Sequence, residues 1–176
     1  MKNKTFFYLI LFVLGSLQIQ AAGPKEEQIA ELERVKAGTV EYMEAMSAEG
    51  YDFKPTPEMR SFAQQMLHLA QANYMFGQMA GGLTNPKAGQ DLEKMPELTS
   101  KEVCMATVVA SFDFLIESMK GLTEDQLAEE IKLFNAFSLS RITAFRKAQE
   151  HAIHHRAQTT VYLRLKGFTP PSEKLF

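Results

Sequence analysis

Beyond its first two dozen residues, the sequence sustains no period-2 alternation and contains no Asn-Gly or Asp-Gly pair to turn a hairpin. Its apolar residues recur instead at i+3 and i+4, between segments punctuated by helix caps and glycines. This pattern confines the chain to an all-α fold. Ile29, Leu32, Val35, Val40, Met43 and Met46 mark a first helix from about Lys25 to Ala48, with Gly38 a weak point inside it. Thr56-Pro57-Glu58 reads as N-cap, first-turn proline and acidic residue, so a second helix is expected to start there and to stop at Gly81-Gly82. Residues Leu83 to Leu98, with Asn85-Pro86, Gly89 and Pro96, form a loop of functional length. Thr99 and Glu102 form a capping-box pattern for a third helix ending at Gly121, and Thr123 with Gln126 another for a short helix to about Leu133. After a kink around Asn135 to Ser138, a last helix runs from about Leu139 to Lys166, ended by Gly167 and Pro170-Pro171. Four long helices and a short one imply a bundle, whose sites are built from facing helices.

The N-terminus reads differently. Lys2 and Lys4 precede an apolar run from Phe6 to Leu17, closed by Ala21 and Ala22. That run is shorter than the roughly 20 apolar residues a spanning helix needs, and it has the layout of a secretory signal peptide. Residues 1–21 are therefore expected to be removed, leaving a single domain over 22–176 that is exported, periplasmic or secreted, with no membrane attachment after cleavage. Intact-mass measurement of the exported protein checks this; a full-length species embedded in membrane would refute it.

One cysteine, Cys104, precludes an intramolecular disulfide, so stability rests on packing and on any bound metal. Placed among Val103, Ala106 and Thr107, Cys104 is expected to be a buried free thiol. A net charge of −2 and the lack of a basic cluster argue against nucleic acid or anionic membrane as partners. The 10 methionines are dispersed, which suits core filling rather than a copper site.

All 4 histidines fall in two places: His68 in the second helix, and His151, His154 and His155 in the last. Residues i and i+4 share a helix face, so His151 and His155 can address one ion; His151 with His154, at i+3, is a competing pair. The helical wheel sets His151 and His155 beside Ala148, Ala152, Thr159 and Tyr162, a core-like stripe, and turns His154 toward Lys147 and Glu150. His68 lies beside an apolar stripe with Ala72, Met75 and Met79, where it either faces a neighbouring helix or is a hydrogen-bonded boundary histidine. Three imidazoles would leave a divalent ion with an open position, as in catalytic zinc sites. Imidazole suits zinc, nickel, copper and iron alike. A general base is less evident: Glu150 adjoins His151 but points away from its face, Asp113 and Glu117 on the third helix are candidates, and no glutamate follows His151 as it would in a His-Glu-x-x-His protease.

The segment from Glu150 through His154-His155-Arg156-Ala157-Gln158 to Tyr162-Leu163-Arg164 and Gly167 resembles the C-terminal signature of the DinB/YfiT-like superfamily. Met59 to Ala70 resembles that family's second helix. The resemblance implies a four-helix bundle, often a homodimer, that holds a divalent metal, zinc or nickel foremost, through His68, His151 and His155. It further implies thiol-dependent transferase or isomerase chemistry on a metal-activated low-molecular-weight thiol. Three neutral imidazoles, which leave the ion its full charge to acidify bound water, add hydrolysis as the other expected reaction on an unknown small molecule. Ala157 departs from the family's usual glycine. Export departs from it as well, because such thiols are cytosolic; a non-enzymatic metal-binding protein is the alternative.

Overall fold

The computed structural model describes residues 23–175, so the signal peptide expected over 1–21 lies outside the described residues. Four long helices form the bundle: α1 (Pro24–Ala45), α2 (Phe62–Gly81), α3 (Lys101–Lys120) and α5 (Arg141–Leu165). A short helix, α4 (Glu124–Ala128), and a hairpin of β1 (Glu130–Leu133) and β2 (Phe137–Ser140) lie between α3 and α5. Helices α1 and α2 each pack against both α3 and α5, which places α1 diagonal to α2. Helix α2 thus meets α5 face to face, the contact on which the histidines depend.

The boundaries follow local hydrogen bonding more closely than the sequence patterns did. Helix α2 starts at Phe62, not at Pro57. Ser61 Oγ accepts from the Gln64 amide (3.2 Å) and Gln64 Oε1 accepts from the Ser61 amide (2.9 Å), a reciprocal capping box that outcompetes the Thr56-Pro57 start. The first two helical amides are also engaged, Phe62 N–H with Phe53 O (3.0 Å) and Ala63 N–H with Tyr51 O (2.8 Å). Residues 56–59 form only a turn. At α3 the cap is Ser100 rather than Thr99, whose hydroxyl is spent on Pro96 O (2.9 Å).

The hairpin corrects the expectation of an all-helical chain. The short helix stops at Ala128 and residues 130–133 pair antiparallel with 137–140, from Glu130 opposite Ser140 to Leu133 opposite Phe137. Ile131 and Leu133 turn inward while Glu130 and Lys132 stay exposed, an alternation too short to distinguish from a helix turn by pattern. The turn is made without glycine: Phe134 and Asn135 adopt positive φ of 52° and 55°.

Helix α1 passes unbroken through Gly38. A Cβ there would lie 2.6 Å from an Arg156 guanidinium nitrogen, so the glycine admits that side chain between α1 and α5. Gly82, at φ 80°, caps α2 in the left-handed region open to glycine. The core forms two apolar clusters. One gathers Phe62, Leu67, Val108 and Tyr162, the other Phe76, Leu115, Leu133 and Phe145. Phe62 is fully buried and sets its ring edge-on to Tyr51 (5.0 Å) and Tyr162 (6.3 Å), joining α2, α5 and the connection between α1 and α2. A polar contact also crosses the core: Asn73 Nδ2 donates to Ser111 Oγ (3.2 Å), both side chains being fully buried.

Cys104 is fully buried, as expected, and burial pushes its thiol up to about 12. Native protein should therefore resist thiol reagents at neutral pH, because the reactive thiolate is absent and shielded. Stoichiometric labelling should appear only in denaturant. Rapid labelling of the native chain would contradict the burial.

Candidate metal centre

Helices α2 and α5 bring His68, His151 and His155 together. One ligand atom from each lies within 4.8 Å of the others. The rings sit at centroid separations of 5.2 Å (His68–His151), 4.5 Å (His68–His155) and 4.3 Å (His151–His155). The stripe that carries the α5 pair is buried throughout: Ala148, Ala152, Thr159 and Tyr162 are at most 1% exposed. His155 is buried, and His68 and His151 are partly so. His154 is exposed, edge-on to His155 at 5.0 Å, and outside the trio.

Two of the three rings are held from outside the cluster. His68 Nδ1 lies 2.6 Å from Glu93 Oε1, so that nitrogen carries the proton and donates it, leaving Nε2 with a lone pair. The Arg60 Nη2 contact to the same nitrogen at 3.3 Å is then not a hydrogen bond, since both groups are donors; Arg60 bonds Glu93 instead, through Nε at 2.5 Å. A carboxylate behind a ligating histidine fixes its tautomer and orientation. Glu93 is itself positioned by the buried Leu92, whose amide donates to Gln71 Oε1 (2.9 Å). His155 Nδ1 faces the Gln65 amide at 2.9 Å. That amide also contacts Gln158, and Gln158 in turn contacts His154 Nε2 at 2.7 Å. His151 Nδ1 is buried with no hydrogen-bond partner among the described residues.

The donor set fits a borderline cation. Three imidazoles converge, a buried ring nitrogen lacks a protein partner, and each of the other two rings has Nδ1 occupied from behind. The cluster can therefore hold a metal ion. Burial above all, and then the neighbouring rings and Arg60, lower the His151 pKa to about 4 and the His155 pKa to about 3. Both are neutral at pH 7, as ligation requires.

These shifts give a prediction for the metal-free protein. Between the ordinary imidazole value of about 6.5 and the lowered native values, the unfolded chain binds protons at positions 151 and 155 that the native chain does not. The stability these groups contribute is whole above about pH 6.5 and declines as pH falls toward 4 and then 3. Urea midpoints measured with chelator at pH 7 and pH 5 should fall more in wild type than in His151→Gln/His155→Gln. Equal declines would refute the assignment.

None of the sequence's candidates for a base joins the trio. Glu150 pairs with Lys147 (2.7 Å), Asp113 with Lys36 (2.5 Å) and Glu117 with Lys120 (2.8 Å). The residues that do support the rings, Glu93, Gln65 and Gln158, escaped sequence reasoning as functional groups. The only signal pointing to Glu93 was its place in an above-average loop. Gln65 precedes His68 by three residues, and so shares its helix face.

Comparison with known proteins bears on the family of the chain. Residues 31–159 match the family model described as the DinB superfamily. The chain is 29% identical over 135 residues to the uncharacterized protein YjoA of Bacillus subtilis (strain 168), covering 74% of this chain and 83% of that protein. A DinB-like protein structure from Bacillus cereus ATCC 10987 superposes with a TM-score of 0.73 at 18% identity, over 85% of this chain and 97% of the other. The structure of B. subtilis YjoA superposes with a TM-score of 0.64 at 22% identity, over 85% and 96%. At such identities these two structures speak for the fold alone. With a family model spanning most of the described bundle and both histidine-bearing helices, the chain belongs to the DinB superfamily.

Proposed function

We propose that the chain is an exported metal-dependent enzyme, a hydrolase or transferase, that binds one divalent ion, zinc or nickel, through His68, His151 and His155. The observation that carries this reading is the convergence of three ring nitrogens with no fourth His, Cys, Asp or Glu ligand among the described residues. Structural zinc sites are closed by four protein ligands, whereas catalytic ones keep a position for water or substrate. A structural or sensory site is the alternative, and the three-donor set weighs against it. Export rests on the sequence of residues 1–21; no helix among the described residues is long and apolar enough to cross a membrane.

Bound there, the ion would supply Lewis acidity and lower the pKa of a ligating water or thiol. The chain's own residues do the rest. Glu93 accepts the His68 Nδ1 proton and so aims Nε2 inward. Gln65 can serve His155 in the same way by presenting its amide oxygen to Nδ1–H, and turning over the Gln158 amide keeps that chain of hydrogen bonds complete. Glu93 is thus a positioning residue. Elemental analysis of untagged protein should find one equivalent of zinc or nickel per chain, and Glu93→Gln should weaken its affinity about 10–100-fold with the fold intact. Metal-free protein that takes up no ion on addition would refute the reading.

A further inference from the structure

We propose that the β1–β2 hairpin walls a groove for an apolar, aryl-sized group of an organic ligand whose polar end lies at the histidines, an assignment that rests on the metal-binding reading above. Two cavities flank Phe134 and share Phe76 and His151. The larger, about 610 Å³, is bounded by Leu133, Phe137 and Leu139. The smaller, about 330 Å³, is lined by His68 and Met75. Both lie in the size range of small-molecule sites, which are mostly apolar with a few convergent polar groups.

The charged groups at the rims are already matched to one another. Lys147 pairs with Glu150 and Asp91 with Lys94, each at 2.7 Å, and Glu93 holds Arg60 and His68. An occupant therefore meets no unpaired charge in the groove, and its polar contacts concentrate at the histidines. The aromatic rings are held there at a conformational cost. Phe134 occupies the left-handed region, unusual for a bulky residue, and stands edge-on to Phe76 at 5.8 Å. Phe134 and Phe137 remain 44% and 62% exposed. A second copy of the chain could also cover these rings. The concave shape and its continuity with His151 favour a small ligand instead.

The test uses zinc-loaded protein titrated with acetohydroxamate and benzohydroxamate, which share a metal-binding head and differ in the aryl group. Benzohydroxamate should bind at least about tenfold tighter. That preference should collapse toward unity in Phe134→Ala/Phe137→Ala and fall in Phe137→Ser, whose side chain is exposed enough to spare the fold. Metal-free protein should enhance 8-anilinonaphthalene-1-sulfonate fluorescence, and the double variant should not. Equal binding of both hydroxamates would overturn the groove and leave the metal site standing. Failure of both hydroxamates with dye binding retained would overturn the metal reading on which the proposal rests. A wild-type dimer that the double variant dissociates, seen by sedimentation, would reassign the rings to an interface and overturn the proposal.

Discussion

His68→Ala, His151→Ala and His155→Ala should each abolish stoichiometric metal binding and the thermal stabilisation that metal confers. A ligand that binds only the native state stabilises it by about 2.7 kcal/mol at a concentration of 100 Kd. For a domain of this size that is roughly 5–10 °C in Tm. Wild type should show that shift on addition of zinc, and each of the three variants should show almost none. His154→Ala should lose less than about tenfold in affinity, because its ring, edge-on to His155, stands outside the trio and its hydrogen-bonded link to the cluster passes through two amides, Gln158 and Gln65, before reaching His155. Calorimetric scans with and without metal, paired with metal content, give the answer. Full occupancy in His68→Ala, or a loss in His154→Ala matching that in His155→Ala, would overturn the ligand assignment.

Phe62→Ala should destabilise the chain by about 3–5 kcal/mol, the usual result of emptying a buried aromatic site. Phe62 has no exposed surface and contacts aromatic rings from two other parts of the fold, so little can collapse into the space it leaves. Its loss also loosens the N-terminal turn of α2 near Arg60, whose carbonyl accepts from the Tyr162 hydroxyl at 3.0 Å. Chemical denaturation with chelator present should show the drop in full. A change below about 1 kcal/mol would mean that the turn is held by its capping box rather than by the ring.

The helices of the bundle were legible because each carries a repeating apolar stripe over 20 or more residues. The histidine trio was legible for a related reason: i, i+4 spacing fixes which side chains share a face, and Ala148, Ala152, Thr159 and Tyr162 marked that face as inward. Three things were not. The start of α2 is not at Thr56-Pro57, where the local cap signal is real but loses to Ser61–Gln64 and to the bonds that the Phe62 and Ala63 amides donate to the Phe53 and Tyr51 carbonyls. The hairpin was missed because four-residue strands carry too little alternation, and because its turn uses Phe134 and Asn135 where glycine would have been the visible sign. Glu93 was missed because it approaches His68 across 25 residues, through a loop whose path depends on burying Leu92.

The buried contact between Asn73 and Ser111 fixes something that apolar packing leaves soft. Leucine and alanine faces tolerate sliding of one helix along another, since one methyl group serves nearly as well as the next. An amide and a hydroxyl in the middle of the core do not. Shifting α2 by a single residue relative to α3 would move them about 1.5 Å apart along the axis and leave the Asn73 amide donor without a partner, at about 1–3 kcal/mol, while Ser111 keeps its bond to Val108 O within α3 (2.7 Å). His68 stands five residues, less than a turn and a half, before Asn73 on the same rigid helix. The pair therefore sets the height at which that imidazole meets α5, and Asn73→Leu should give a bundle that still folds but holds its three rings at a less certain level.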